Sequence, residues 1–182
     1  MDWPSIAPIP PPVLTPWSRE SLGDVLSHTE HGVHQAGTNS WGTNLARFYP
    51  FMLARPALAR QLLFLVGGTA NGNIDIGIYD AGLHLIVSSG LTAQGTINTV
   101  QELNIADTWL APGRYWLAAT CTGATGTGFS EAISDEVSFS MIPAYTQQLG
   151  AGAALPATAT PVLSTETSPH IFAIGVQFAP VF

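Results

Sequence analysis

His28, His31 and His34 recur at every third position with Glu30 among them, and imidazoles so spaced are the raw material of a divalent-metal site. On a helix the three would share one side. Gly32 and the surrounding Thr, Asn and Ser argue against a helix, and no Cys or flanking carboxylate pattern completes a zinc set. The segment therefore reads as a polar loop or subunit contact, and a metal held there would sit on a symmetry axis rather than catalyse. Asn71, Asn73 and Asp75 alternate oxygen ligands as calcium loops do, but the required glycine and terminal bidentate Glu are missing. Gly123, Gly126 and Gly128 suggest a phosphate loop, yet neither the Lys nor the receiving helix follows. Ser130 in GFSEA lacks the second glycine of a nucleophile elbow, and Asp135-Glu136 specifies no glycosidase pair. No enzyme, metal or cofactor is expected.

Aromatic residues offer a different chemistry, because a sugar ring presents an apolar face with hydroxyl edges that suits Trp and Tyr. Trp109, Tyr115, Trp116 and Tyr145 qualify by type. Tyr115 and Trp116 are adjacent on a predicted strand and must face opposite sides of it, so one of them belongs to the core. Trp41 and Trp109, flanked by polar or turn residues, and Tyr145 are the candidates for glycan or partner contact.

The elements that position these residues are strands. Leu45 to Leu53, Ala57 to Val66, Asn73 to Tyr79, Thr99 to Ile105, Arg114 to Cys121, Val137 to Ile142 and Ile171 to Phe178 carry strand patterns. Within Asn73 to Tyr79, Ile74, Ile76 and Ile78 form one face, while Asp75 and Tyr79 point outward or to a neighbour. Leu83, Leu85 and Val87 repeat the core pattern and His84 the outward one. Asp80-Ala81-Gly82 fits a three-residue hairpin loop with Gly82 in the left-handed conformation. The Gly-rich run 122–128 and the Ala-rich run 149–161 lack core-building side chains and read as exposed loops. Residues 17–26 allow a short helix capped by Ser18, and residues 27–44 look like loop. The fold class is all-β: an antiparallel, jelly-roll-like β-sandwich of about eight strands over residues 45–182.

Residues 1–44 are read as a separate anchoring segment. Within it, MDWPSIAPIPPPVLTP is a Pro-rich extended arm, since proline fixes φ and offers no backbone donor. Trp3, Ile6, Ile9, Val13, Leu14 and Trp17 make it apolar, and a free linker has no use for them. The arm is expected to dock against other subunits.

Composition narrows the partners. Charged residues make up only 9% of the 182, against roughly 25% in ordinary soluble chains, and all five basic residues are Arg. Such a surface fits one largely covered by neighbours. The net charge of −7 opposes nucleic-acid binding, which needs clustered Lys and Arg. Lone Cys121 excludes an internal disulfide framework. No basic n-region and apolar h-region of a signal peptide is seen, and no apolar run approaches the ~18 residues of a membrane span.

The segments GNIDIGIYDAGLHLIVSSG and LNIADTWLAPGRYWLAATC carry an Asp-bearing strand ending in a Tyr-Asp turn, then a Pro-Gly turn and an aromatic pair. They resemble prepeptidase-C-terminal-like and carbohydrate-binding-like sandwiches. From ARFYPFML through the Pro-Gly-Arg-Tyr strand, roughly residues 45–121, the chain looks most like β-sandwich structural proteins of tailed bacteriophages. That resemblance implies a virion component of tail, fibre or capsid-decorating type. Such a protein is assembled in the host cytoplasm and works as a homo-oligomer, a trimer in our reading. Its partners are other virion proteins; the alternative is an adhesin module for a host surface glycan.

Overall fold

The computed structural model describes residues 37–132, 145–152, 154–164 and 170–179. The six arm residues from Trp3 to Trp17, the expected helix, His28, His31 and His34, and the expected strand 137–142 lie outside these.

The described residues form thirteen strands and no helix: β1 (Gly37–Ser40), β2 (Leu45–Leu53), β3 (Ala57–Leu65), β4 (Asn73–Tyr79), β5 (Leu85–Ser88), β6 (Thr92–Ala93), β7 (Val100–Leu110), β8 (Gly113–Cys121), β9 (Thr127–Ala132), β10 (Tyr145–Gln148), β11 (Val162–Leu163), β12 (His170–Phe172) and β13 (Ile174–Phe178). All pairings are antiparallel. The expected all-β antiparallel sandwich is what forms, with more and shorter strands than the pattern alone resolves.

One layer is a seven-stranded sheet in the order β11-β10-β2-β8-β4-β5, with β6 also paired to β4. The other combines two three-stranded sheets, β1-β9-β12 and β13-β3-β7. Ala173 joins them: its N–H donates to the Phe129 carbonyl, and its own carbonyl accepts from the Leu65 N–H. A bridge between Val66 and Gly128 closes the same seam.

The core between the layers follows from strand alternation. Tyr49, Phe51 and Leu53 from β2, Ile74, Ile76 and Ile78 from β4, and Tyr115 and Leu117 from β8 face Leu62 and Phe64 of β3 and Ile174 and Val176 of β13. Trp41 joins this core at 0% exposure, its ring stacked on Phe172 with centroids 3.9 Å apart. The guanidinium of buried Arg47 lies 5.0 Å from the Phe172 centroid. Trp41 is thus core rather than a contact residue, contrary to the reading of its polar flanks. Its neighbour in sequence, β1, pairs with β9, so the sheets begin ahead of residue 45.

The Gly-rich run is an exposed loop only at Ala124 and Thr125; Gly123, Gly126 and Gly128 are buried. Thr127 begins β9, and Gly128 lies against the Trp41 stack. A Cβ on Gly128 would stand 2.8 Å from Trp41 Nε1 and 2.9 Å from both the Phe172 and Phe64 rings. The Gly128→Ala variant should therefore lose about 1–3 kcal/mol by overpacking. A denaturant midpoint equal to that of the wild type would show that this approach is looser than described.

Candidate functional site

β4 is buried along almost its whole length, on both faces. Ile74, Ile76 and Ile78 face the core, as their spacing predicts. Asp75 and Tyr79, expected to face outward, are each 0% exposed. The cover comes from residues 154–160 of the Ala-rich run, which cross the hairpin as a strap. The Leu155 N–H donates to Asp75 Oδ2 at 2.9 Å, and the Tyr79 hydroxyl donates to the Pro156 carbonyl at 2.8 Å. Leu85 N–H donates to the Ala157 carbonyl, and Ala159 N–H to the Leu83 carbonyl. Leu155 and Ala159 pack with Phe48, Tyr79 and Ala118 in a second apolar cluster. A run poor in large side chains thus supplies core, because small residues let it lie flat on the sheet.

The hairpin turn also departs from its reading. Leu83, not Gly82, takes the left-handed conformation, at φ 64°. Asp80 holds this turn: its Oδ1 accepts from the His84 N–H at 2.9 Å, and the Leu83 N–H donates to the Asp80 carbonyl. A register shift between Ile78 and Tyr79 then sets Val87 opposite Ile78 and Leu85 opposite Tyr79. Val87 consequently faces the main core, whereas Leu83 and Leu85 join the strap's cluster. His84 remains outward, paired with Asp80 at 3.2 Å.

Burial raises the pKa of Asp75 against the opposing pull of its hydrogen bonds from Leu155 and Ser89, and burial beside Asp75 raises that of Tyr79. The bond from the Leu155 N–H to this carboxyl fastens the strap.

The second layer carries a polar groove of about 440 Å³, lined by Arg60, Gln61, Asn104, Asp107, Gln177 and Phe178 among others. A bulge creates it. Ala59 pairs with Thr108 and Gln61 with Asn104, so Arg60 alone faces Ile105, Ala106 and Asp107. Arg60 Nη2 donates to Asp107 Oδ2 at 3.2 Å, and Gln61 Nε2 donates to Asn104 Oδ1 at 2.9 Å. The ion pair is more than half exposed, worth at most about 1 kcal/mol, and free to exchange partners. Among the described residues, buried Gln177 Oε1 has no hydrogen-bond partner. Two residues along β7 from Asp107 stands Trp109, 66% exposed. Carboxamides, a guanidinium–carboxylate pair and a nearby indole can bind hydroxyl groups and an apolar ring face.

Of the three aromatics singled out by sequence, Trp109 alone stands free beside this groove. Trp41 is core, and Tyr145 is half-buried, edge to face with Trp116 at 5.2 Å. Tyr115 and Trp116 do take opposite sides, with Tyr115 in the main core. Ser130 is buried and accepts from Asn39 Nδ2, a structural bond. Among the described residues no group of three His, Cys, Asp or Glu converges as metal ligands, and no helix is long and apolar enough to cross a membrane. Sequence reasoning missed the strap; its signal was a lone Asp amid alternating Ile, with a later Pro amid small residues.

No protein-family model matches the chain, and neither the curated proteins nor the solved structures compared with it give a match.

The strap yields a pH prediction. The folded-state pKa of Asp75 lies above its ordinary value near 3.8, so the folded protein binds this proton more tightly. Its contribution to stability is fully present below that ordinary value and lost as pH rises through the raised one. Asp75→Asn keeps an oxygen for the Leu155 N–H and should remove this part of the pH dependence. Asp75→Ala should cost about 1–3 kcal/mol at pH 3 by orphaning that donor, and less as pH rises and the wild type loses its own contribution. Urea denaturation between pH 3 and 8 measures both, and an unchanged slope in the Asn variant would contradict the assignment.

Proposed function

We propose that this chain is a non-enzymatic structural component of a tailed-phage virion, anchored by residues 1–16 and presenting the β-sandwich on the particle. The observation that carries this reading is the character of the described surface. Met52, Ile86, Leu91, Ile97, Val100, Trp109, Val162 and Leu163 stand exposed on a chain with only 9% charged residues. Assembly covers such side chains, whereas a free monomer gains solubility from charge instead. The resemblance of residues 45–121 to tailed-phage sandwiches supplies the setting. A homotrimer, contacts with other virion proteins, and assembly in the host cytoplasm complete the proposal.

The test is deletion of residues 1–16 from the gene in its phage. Incorporation of the shortened protein should fall at least tenfold by quantitative immunoblot of purified particles, and incorporation at the wild-type level would refute anchoring by the arm. Copy number in the same particles separates the locations: hundreds imply capsid decoration, a dozen or fewer a tail or fibre component.

Exposed Trp109 beside the Arg60–Asp107 groove favours a second reading, an adhesin that binds a host surface glycan. Under it, Trp109→Ala should abolish glycan-array signals of the purified protein while leaving its denaturant midpoint within about 0.5 kcal/mol, as expected of an exposed site. An array without any signal for the wild type would end this reading.

A further inference from the structure

Among the described residues, the outer face of the seven-stranded sheet is covered only in part. Directly opposed residues on antiparallel strands share a face. The pairs Leu163–Tyr145, Tyr145–Phe48, Pro50–Trp116 and Met52–Arg114 therefore place Leu163, Tyr145, Trp116, Pro50 and Met52 on the side of Phe48. The strap takes the Phe48–Tyr79 portion of this face. Met52 and Leu163 are 59% and 51% exposed; half-buried Pro50 and Tyr145 lie between them, Trp116 lies across β2 from Tyr145, and both rings pack against the edge of the strap's cluster. Trp116 and Tyr145 meet edge to face at 80°. Among the described residues neither the Trp116 Nε1–H nor the Tyr145 hydroxyl has a hydrogen-bond partner.

The same face already shows what it holds. The strap is an extended Pro- and Ala-containing segment that pairs through its backbone with Leu83 and Leu85, and its Pro156 carbonyl, outside that pairing, accepts from the Tyr79 hydroxyl. A polyproline-type chain leaves its carbonyls unpaired, and aromatic rings carrying an N–H or O–H donor fit both its ridges and those carbonyls. Residues 4–16, PSIAPIPPPVLTP, have this composition in stronger form. Asp2 is the one charged side chain in residues 1–16, and Arg114 is the cation beside Met52. Residues 14–36 can reach up to about 75 Å when extended, far enough to enter another subunit.

We propose that Ile9–Val13 of a neighbouring copy docks across Tyr145 and Trp116, with Leu163 flanking the Tyr145 side and Met52 the Trp116 side. This deepens the virion reading and rests on it, since it names the surface that receives the arm. Affinity comes from burial of the prolines and of Ile9 and Val13 on the two rings. Register comes from the Trp116 and Tyr145 donors meeting arm carbonyls, as Tyr79 meets Pro156.

Site-directed cross-linking of the full-length protein tests this. Ile9→Cys is combined with Met52→Cys or with Leu163→Cys and treated with bismaleimidoethane; the native thiol, Cys121, is buried. Covalent dimers and larger species should form with either partner site and with none of the three single variants. Replacing Pro10, Pro11 and Pro12 by Ala should cut the yield at least tenfold without altering the sandwich, and Trp116→Ala should do the same. A faster-migrating, internally linked monomer would overturn docking between copies, and absence of any cross-link would overturn docking on this face. Arm-dependent incorporation into particles without the cross-link would leave the virion reading standing and remove this contact. A cross-link in a protein that particles do not contain would support the contact and remove the virion reading.

Discussion

The seven-stranded sheet is apolar on both of its faces, and most of this molecule is arranged to cover it. One face is met by the second layer through the Trp41–Phe172 stack, the β4 isoleucines and the aromatic residues of β2 and β8. Among the described residues the other is crossed by the strap, which its small side chains cannot hold by packing alone and which pairs through its backbone with Leu83 and Leu85. Asp75 and Tyr79 supply the missing directionality, each reaching from the sheet to one backbone group of the passing chain. Burying a carboxyl has a cost, visible in the raised pKa of Asp75, and two hydrogen bonds to it offset part of that cost.

Strand positions were legible because they rest on large side chains in alternation. β2 and β4 fall on the predicted residues, while β3 and β8 each differ by one. The errors cluster where hydropathy carries no signal. Runs of Gly, Ala and Thr resemble loops to any pattern argument, yet Gly128 is small so that Trp41 can lie against it, and Ala159 so that the strap can approach the sheet. Alternation itself misled at Asp75 and Tyr79, since a polar residue every second position implies a wet face only if nothing crosses it. Trp41 shows the converse: polar neighbours in sequence say little about a residue whose environment is built from β9 and β12.

The groove was legible only in its aromatic member. Trp109 stood out by its surroundings, but Arg60, Gln61, Asn104, Asp107 and Gln177 come from three strands and are gathered by a bulge that no local pattern announces. The groove belongs to the second layer and the half-covered aromatic face to the first. Recognition of a ligand and attachment to a neighbour therefore need not compete for the same surface.

The strap and the Trp41 stack also set the order in which the chain can mature. Asp75 and Leu155 are 80 positions apart, and Tyr49 and the Phe172 N–H that donates to it are 123 apart. Bonds across such separations form late, because loop-closure entropy must be met before they contribute. β3 meets the inner face of β2 and β4 early, but the Trp41–Phe172 stack that completes this core waits until residue 172 has arrived. A sheet whose two faces are closed by pairings so far apart in sequence has its last-made segments as its seals, so loss of the C-terminal strands opens the core and not merely an edge.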